Sequence, residues 1–269
     1  MRLHRVVQGQ GYPILCLHGH PGNSRCMRVF TAELAKRFTT ISPDLRGYGH
    51  SKTNTAFAMA EHLDDVAALL KELGTQQYLI LGWSLGGILA MEMALRYPEQ
   101  VTGLILVATA ARPRGNHPPI TWQDNLYTAI ASILNRLVPG WQWNIDTFGR
   151  RSLYRHLIQQ HTQTAYQHLA DEAFTAFLQT SKFAGQALNS AIRQGYNRLP
   201  DLDQITAPTL VLCGERDRHI TAAASQETAA HLPNSVLQTY PQTAHLFPWE
   251  IPTQVLVDMD DWLAQHFPV

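Results

Sequence analysis

Three side chains in this sequence have the types and the order that acyl-transfer chemistry needs: Ser84, Asp217 and His245. A serine hydroxyl is a weak nucleophile until a base takes its proton, and a histidine becomes that base when a carboxylate holds its tautomer and stabilises the imidazolium. Ser84 lies in Gly82-Trp83-Ser84-Leu85-Gly86, a match to G-x-S-x-G. On a tight strand-to-helix turn the positions two residues either side of the serine have no room for a side chain, which explains the glycines. Such a turn leaves Ser84 reachable at the carboxyl edge of a sheet. The helix that follows offers unpaired N–H groups and a positive dipole end to an oxyanion.

So short a pattern carries weight only in context, and the context fits. Tyr78–Leu81 is an apolar run suited to a parallel strand covered on both faces, and Ile88–Arg96 has the spacing and composition of a packed helix. Leu85, the residue after the serine, is the expected first oxyanion donor through its backbone N–H. The second is sought in the early loop Gly19-His20-Pro21-Gly22-Asn23, where the backbone N–H of His20 is the candidate. His18 and His20 as metal ligands are disfavoured, because a His-Gly-His loop without a supporting carboxylate is a poor ligand set. Asp217 and His245 each follow a strand-like run, so a parallel sheet delivers them to the same edge as Ser84. Glu215 competes with Asp217 but sits closer to its strand; His219, His231 and His266 compete with His245 and read as structural or solvent-facing. Asp44 and Arg46 read as a structural pair that pins a loop.

The elements that must position these groups alternate regularly. Strands are expected over Arg2–Val7, Pro13–His18, Phe38–Ser42, Tyr78–Leu81, Val101–Ala108, Ala207–Gly214 and Val236–Tyr240. Helices are expected over Ser24–Lys36, Met59–Leu73 with Glu61, Asp64, Asp65 and Lys71 outward, a segment capped by Thr221 and running to His231, and a closing helix over Pro252–His266. The rhythm stops between Ala111 and Pro200, where Pro113, Pro118 and Pro119 interrupt the chain and aromatics recur at helical spacing. The expected architecture is therefore an α/β core over 1–110 and 201–269, with a mostly parallel sheet flanked by helices, and a helical cap inserted over 111–200. Most aromatics of that cap are expected to pack in a core.

Bulk composition excludes several classes. In 269 residues, 45% hydrophobic and 16% charged residues describe an ordinary globular chain. Zero formal net charge gives no argument for nucleic-acid binding. No run approaches the roughly 18 apolar residues of a membrane span, and Met1–Val7 lacks a secretion signal, so a cytoplasmic location without membrane association is expected. Cys16, Cys26 and Cys213 follow no metal-ligand spacing and read as structural. Residues 111–200 carry eight Arg and one Lys against three Asp and one Glu, a local excess of +5. Solvation of a helical face is the simpler account of that charge.

Taken together, H-G-H-P-G at 18–22, D-L-R-G-Y-G-H-S at 44–51, G-W-S-L-G-G at 82–87, G-E-R-D at 214–217 and A-H at 244–245 resemble the α/β-hydrolase fold superfamily over nearly the whole chain. The resemblance implies Ser84 as nucleophile, His245 as base, Asp217 as its orienting acid, Leu85 and His20 as oxyanion donors, and no metal or organic cofactor. H-G-x-P and the insert are also similar to epoxide hydrolases and haloalkane dehalogenases, but those use aspartate where this chain has Ser84. G-W-S-L-G-G is similar to small carboxylesterases acting on pimeloyl-acyl-carrier methyl esters, whose carrier protein is acidic and would suit a basic cap. The expected activity is a serine hydrolase cleaving a small ester, thioester or lactone, free or carrier-bound, through an acyl-enzyme. The same groups would serve a C–C bond hydrolase, a cofactor-free haloperoxidase or an acyltransferase, and a non-catalytic small-molecule receptor is the reading from another class. A monomer is the default expectation.

Overall fold

The apolar runs pair into one sheet. The computed structural model describes residues 1–267, so the last two positions of the expected 201–269 segment lie outside the described residues. The seven strands are β1 (Arg5–Gln8), β2 (Pro13–Leu17), β3 (Thr39–Pro43), β4 (Tyr78–Trp83), β5 (Val101–Val107), β6 (Thr209–Gly214) and β7 (Ser235–Tyr240). Their order in the sheet is β1-β3-β2-β4-β5-β6-β7. β1 is antiparallel to β3 and every other pair is parallel. β4, which leads into Ser84, is thus central and buried at all six positions.

Strand alternation divides the core in two. Leu15, Leu17, Ile80, Leu104, Leu106 and Val211 point to one face. There they meet α2 (Ala60–Glu72) and α3 (Leu85–Arg96) through Leu63, Val66, Leu69, Leu89 and Met93. Ile14, Cys16, Leu79, Leu81, Ile105 and Leu212 point to the other. They meet α1 (Arg28–Leu34) and the closing helix through Phe30, Met259, Trp262 and Leu263. Each such fully buried aliphatic or aromatic side chain contributes about 1.5–3 kcal/mol relative to exposure. Covering on both faces is the reason these strands read as continuous apolar runs rather than alternating ones.

Between β5 and β6 the described chain forms only helices: α4 (Trp122–Leu137), α5 (Gln142–Thr147), α6 (Gln163–His168), α7 (Phe174–Leu178) and α8 (Lys182–Arg193), with short 3-10 and π turns between them. The two ends of this segment meet, since Arg198 N–H donates to Ala111 O at 2.9 Å. After β6 come α9 (Ala222–His231), α10 (Phe247–Glu250) and α11 (Pro252–His266). Thr221 caps α9 through the Ala224 N–H, as its position suggests.

Several expectations need correction. The first strand is Arg5–Gln8 rather than Arg2–Val7, and the helix expected over Ser24–Lys36 is split into a 3-10 turn, Ser24–Met27, followed by α1. Asn23 starts that turn by accepting the Arg25 N–H at 3.0 Å. Asp44 and Arg46 do not pair with each other. Asp44 accepts the N–H groups of Ser24 and His50 and lies 3.0 Å from His4 Nδ1, whereas Arg46 forks onto Asp65 and reaches Glu61. Asp65 is consequently buried instead of facing solvent. The aromatics of this helical segment divide: Tyr166 is fully buried, but Trp122, Trp141 and Trp143 are exposed.

Buried histidines make the fold acid-sensitive. Burial pushes the His18 imidazole down to about 4 and that of His62 down to about 3, from an ordinary 6.5. The unfolded chain takes up these protons below pH 6.5 while the folded chain refuses them. Their contribution to stability is therefore full above pH 6.5 and is lost as pH falls toward 3–4. The thermal midpoint is expected to fall steadily from pH 7 to pH 4 in calorimetry. Both ring nitrogens of His62 lack a partner and its ring sits edge-on to Phe57 at 5.1 Å, so His62→Phe is expected to flatten that decline.

Candidate active site

Ser84 owes its position to backbone geometry. It sits between β4 and α3 with φ 54° and ψ −112°, a conformation that non-glycine residues rarely adopt. The turn is clamped on the β5 side: Ser84 N–H donates to Val107 O at 2.8 Å, and Thr109 Oγ1 donates to Ser84 O at 2.8 Å. The glycines meet the steric demand read from the motif. A Cβ on Gly82 would lie 2.4 Å from Gly86 O, and one on Gly86 would lie 2.0 Å from Leu17 O. Gly87, outside the five-residue pattern, is equally constrained by Thr109.

His245 and Asp217 meet Ser84 at this edge. His245 Nε2 is 3.2 Å from Ser84 Oγ, and His245 Nδ1 is 2.7 Å from Asp217 Oδ2. An ionised carboxylate only accepts, so the Nδ1 proton belongs to the Asp217 bond and Nε2 is left to accept from the serine hydroxyl. Asp217 is itself held by its own turn, its Oδ1 accepting the N–H groups of His219 and Ile220 at 2.8 and 3.0 Å. All three side chains are buried, Ser84 being 7% exposed. Glu215, the competitor, instead lies exposed and accepts the Gln242 N–H at 3.2 Å.

Leu85 is the first residue of α3, and an N–H in that turn has no acceptor within its own helix. The early loop lies against the serine: a Cβ on Gly19 would be 3.2 Å from Ser84 Cβ. Within that loop His20 Nδ1 shares a hydrogen bond with Tyr48 Oη at 2.9 Å. His18 is buried and bridges two loops, with Nδ1 donating to Gly19 O at 2.8 Å and Nε2 accepting the Leu45 N–H at 3.0 Å. The cysteines are poor candidates for a nucleophile. Burial pushes the Cys16 and Cys26 thiols up to about 12 and raises that of Cys213.

Two contacts at this edge are not legible in the sequence. His219 is exposed, as a solvent-facing competitor should be, yet its ring lies edge-on to His245 at 4.7 Å and stacks on His117 at 6.4 Å. Glu250 is buried in α10 and ties the His245 loop to the segment between α5 and α6, accepting Ala244 N–H on one oxygen and the N–H groups of Gln159 and Gln160 on the other. Desolvation raises its pKa. The available signal was an acid inside the apolar run Phe247-Pro248-Trp249-Glu250. Among the described residues no group of three or more His, Cys, Asp or Glu side chains is arranged to hold a metal ion.

The chain is similar to known proteins over most of its length. The family model for the alpha/beta hydrolase fold matches residues 12–252. A pimeloyl-acyl-carrier-protein methyl ester esterase of Vibrio atlanticus (strain LGP32) is 25% identical over 240 residues, 89% of each chain. A 2-hydroxymuconate semialdehyde hydrolase of Pseudomonas putida is 28% identical over 250 residues, 88% of this chain and 82% of the relative. Among solved structures, a thermophilic esterase from Thermogutta terrifontis superposes with a TM-score of 0.70 at 26% identity, covering 98% of this chain and 94% of that one.

The packing at the turn yields a paired test. In Gly86→Ala the new methyl meets the backbone of β2, and urea unfolding is expected to show a loss of roughly 1–3 kcal/mol or more. In Gly185→Ala, within α8, the new Cβ meets only His20 Cε1 at 3.5 Å, an ordinary contact. That substitution is expected to be neutral or to stabilise by up to about 1 kcal/mol.

Proposed function

We propose that this chain, which belongs to the α/β hydrolase fold family, is a serine hydrolase that cleaves a small carboxylic ester, thioester or lactone through an acyl-enzyme. The observation that carries the reading is the hydrogen-bonded chain Ser84 Oγ, His245 imidazole, Asp217 carboxylate. The relatives support it, since the curated proteins and the solved structure named above are hydrolases or esterases spanning most of this chain.

In this mechanism Ser84 Oγ attacks the acyl carbon while His245 Nε2 takes the hydroxyl proton. Asp217 stabilises the imidazolium that forms and keeps its ring oriented. The negative charge moves to the former carbonyl oxygen, where the N–H groups of Leu85 and His20 and the N-terminal end of α3 stabilise it. Collapse expels the alcohol, thiol or ring oxygen, which leaves with the proton carried on His245. Water, deprotonated by the same nitrogen, then attacks the acyl-enzyme and regenerates Ser84.

The helices α4–α8 act as a cap in this reading, and 111–200 is the inserted unit. Its support is the set of links that it makes to the site edge. Ser181 N–H donates to Gly47 O, Leu246 N–H donates to Leu157 O, and Gln160 Nε2 donates to Gln242 O. With Ser84 almost closed to solvent, the cap excludes water around the acyl-enzyme and limits substrate size.

Hydrolysis of p-nitrophenyl esters of increasing acyl length tests the proposal. Ser84→Ala, His245→Ala and Asp217→Asn are each expected to lower kcat by about 10⁴-fold without a change in fold, because such groups act as a unit. A fluorophosphonate probe is expected to label Ser84 in the parent and nothing in Ser84→Ala. Equal turnover in parent and Ser84→Ala would reject the mechanism.

A further inference from the structure

α4 is amphipathic in the reverse sense. Its inward face consists of Asp124, Ala131 and Asn135, all buried, with Thr128 and Ser132 beside them. That face is tied down by hydrogen bonds. Asn135 Nδ2 donates to Tyr166 O, Thr128 Oγ1 accepts the Leu153 N–H, and Ser132 Oγ pairs with Tyr154 Oη at 2.7 Å. Its outward face consists of Trp122, Leu126, Ile133 and Leu137, which are 71%, 47%, 54% and 73% exposed. At 100° per residue these four fall within about 60° of one another and form a stripe about 22 Å long.

The stripe continues past the end of α4. Trp141 and Trp143 are exposed and pack on each other at 4.9 Å, and Trp143 joins Tyr127 of α4 through Phe148. An apolar surface of this extent marks a place where something apolar binds. The surrounding charge identifies the occupant. Both acids of this region are taken, Asp124 by Arg155 and Asp146 by Arg150. Arg136 and Arg151 are exposed and have no ion pair among the described residues. A second copy of the same face would bring like charges together, whereas an anionic lipid surface accepts both the stripe and the free cations. Tryptophans at the margin of an apolar stripe suit the boundary between headgroups and acyl chains.

We propose that α4 and the Trp141–Trp143 turn form a peripheral docking surface for an anionic phospholipid bilayer, with the stripe lying in the plane of the interface. Among the described residues no helix is long and apolar enough to cross a membrane, so the association is a surface one. It is reached without reference to the catalytic reading and stands or falls separately from it.

The test is co-sedimentation of the intact chain with phosphatidylglycerol vesicles and with phosphatidylcholine vesicles, accompanied by tryptophan emission. Binding to the anionic vesicles with a blue shift is expected, with at least about tenfold weaker partitioning for Ile133→Asp/Leu137→Asp, because two apolar anchors leave the interface. Arg136→Gln/Arg151→Gln is expected to weaken binding to phosphatidylglycerol while leaving any residual binding to phosphatidylcholine unchanged. Because all four side chains are solvent-exposed, unchanged circular dichroism and thermal midpoint are expected in both variants and separate loss of docking from loss of fold. Absence of binding to phosphatidylglycerol, or binding that both variants retain in full, would overturn the proposal. Concentration-dependent dimerisation in analytical ultracentrifugation that Ile133→Asp/Leu137→Asp abolishes would overturn it as well, in favour of a second copy.

Discussion

The close approach of α3 to the end of β2 is the constraint on which the rest depends. Gly86 lies so near Leu17 O that no side chain fits between them, and the helix can begin this close to the sheet only through the left-handed turn at Ser84. A conformation of that kind costs on the order of 1–3 kcal/mol and persists only where its surroundings over-determine it. Here they do, through Val107 O, Thr109 Oγ1 and a fully apolar strand on the N-terminal side. The strain fixes the direction of the hydroxyl and aims the start of α3 at the same point. The direction of the Ser84 hydroxyl and the placement of the first N–H groups of α3 therefore share one structural cause.

Parallel pairing turns that local device into a site. Because β2, β4, β6 and β7 run the same way, the loops after them open on one edge, and residues separated by 133 (Ser84 to Asp217) and 28 (Asp217 to His245) positions meet there. Precision comes from short-range anchors rather than from the sheet alone. Asp217 is gripped by the N–H groups of the turn that follows it, and the His245 loop is gripped by Glu250. Glu250 also holds Gln159 and Gln160, so the His245 loop and the helical segment between β5 and β6 are fixed to a common buried carboxylate. Its buried charge is stabilised by three N–H donors, the condition under which a carboxylate tolerates burial.

The helical segment between β5 and β6 answers to two environments. Toward the core it presents Tyr166, Ala165 and Ile158 and joins the second apolar cluster. Toward solvent α4 presents its apolar side, which inverts the usual economy of a surface helix. Periodicity alone reveals that α4 has an apolar stripe and a polar one and assigns the apolar stripe to the core by default, whereas the packed structure turns it outward.

What the amino-acid sequence determined by itself is whatever local sterics and strand or helix periodicity control. The strands, the Thr221 cap, the closing helix and the glycine-flanked Ser84 turn are of this kind, and the order of Asp217 and His245 after their strands follows once the sheet is parallel. The tertiary structure alone decided which groups meet across distant segments. Arg46 chose Asp65 and Glu61 over its neighbour Asp44, His18 became a bridge to Leu45, His219 came to lie against His245, and Glu250 became the tie between two loops. A charge or imidazole takes as its partner whatever the packed elements bring within about 3 Å, and that proximity is set by the meeting of surfaces far apart in the chain.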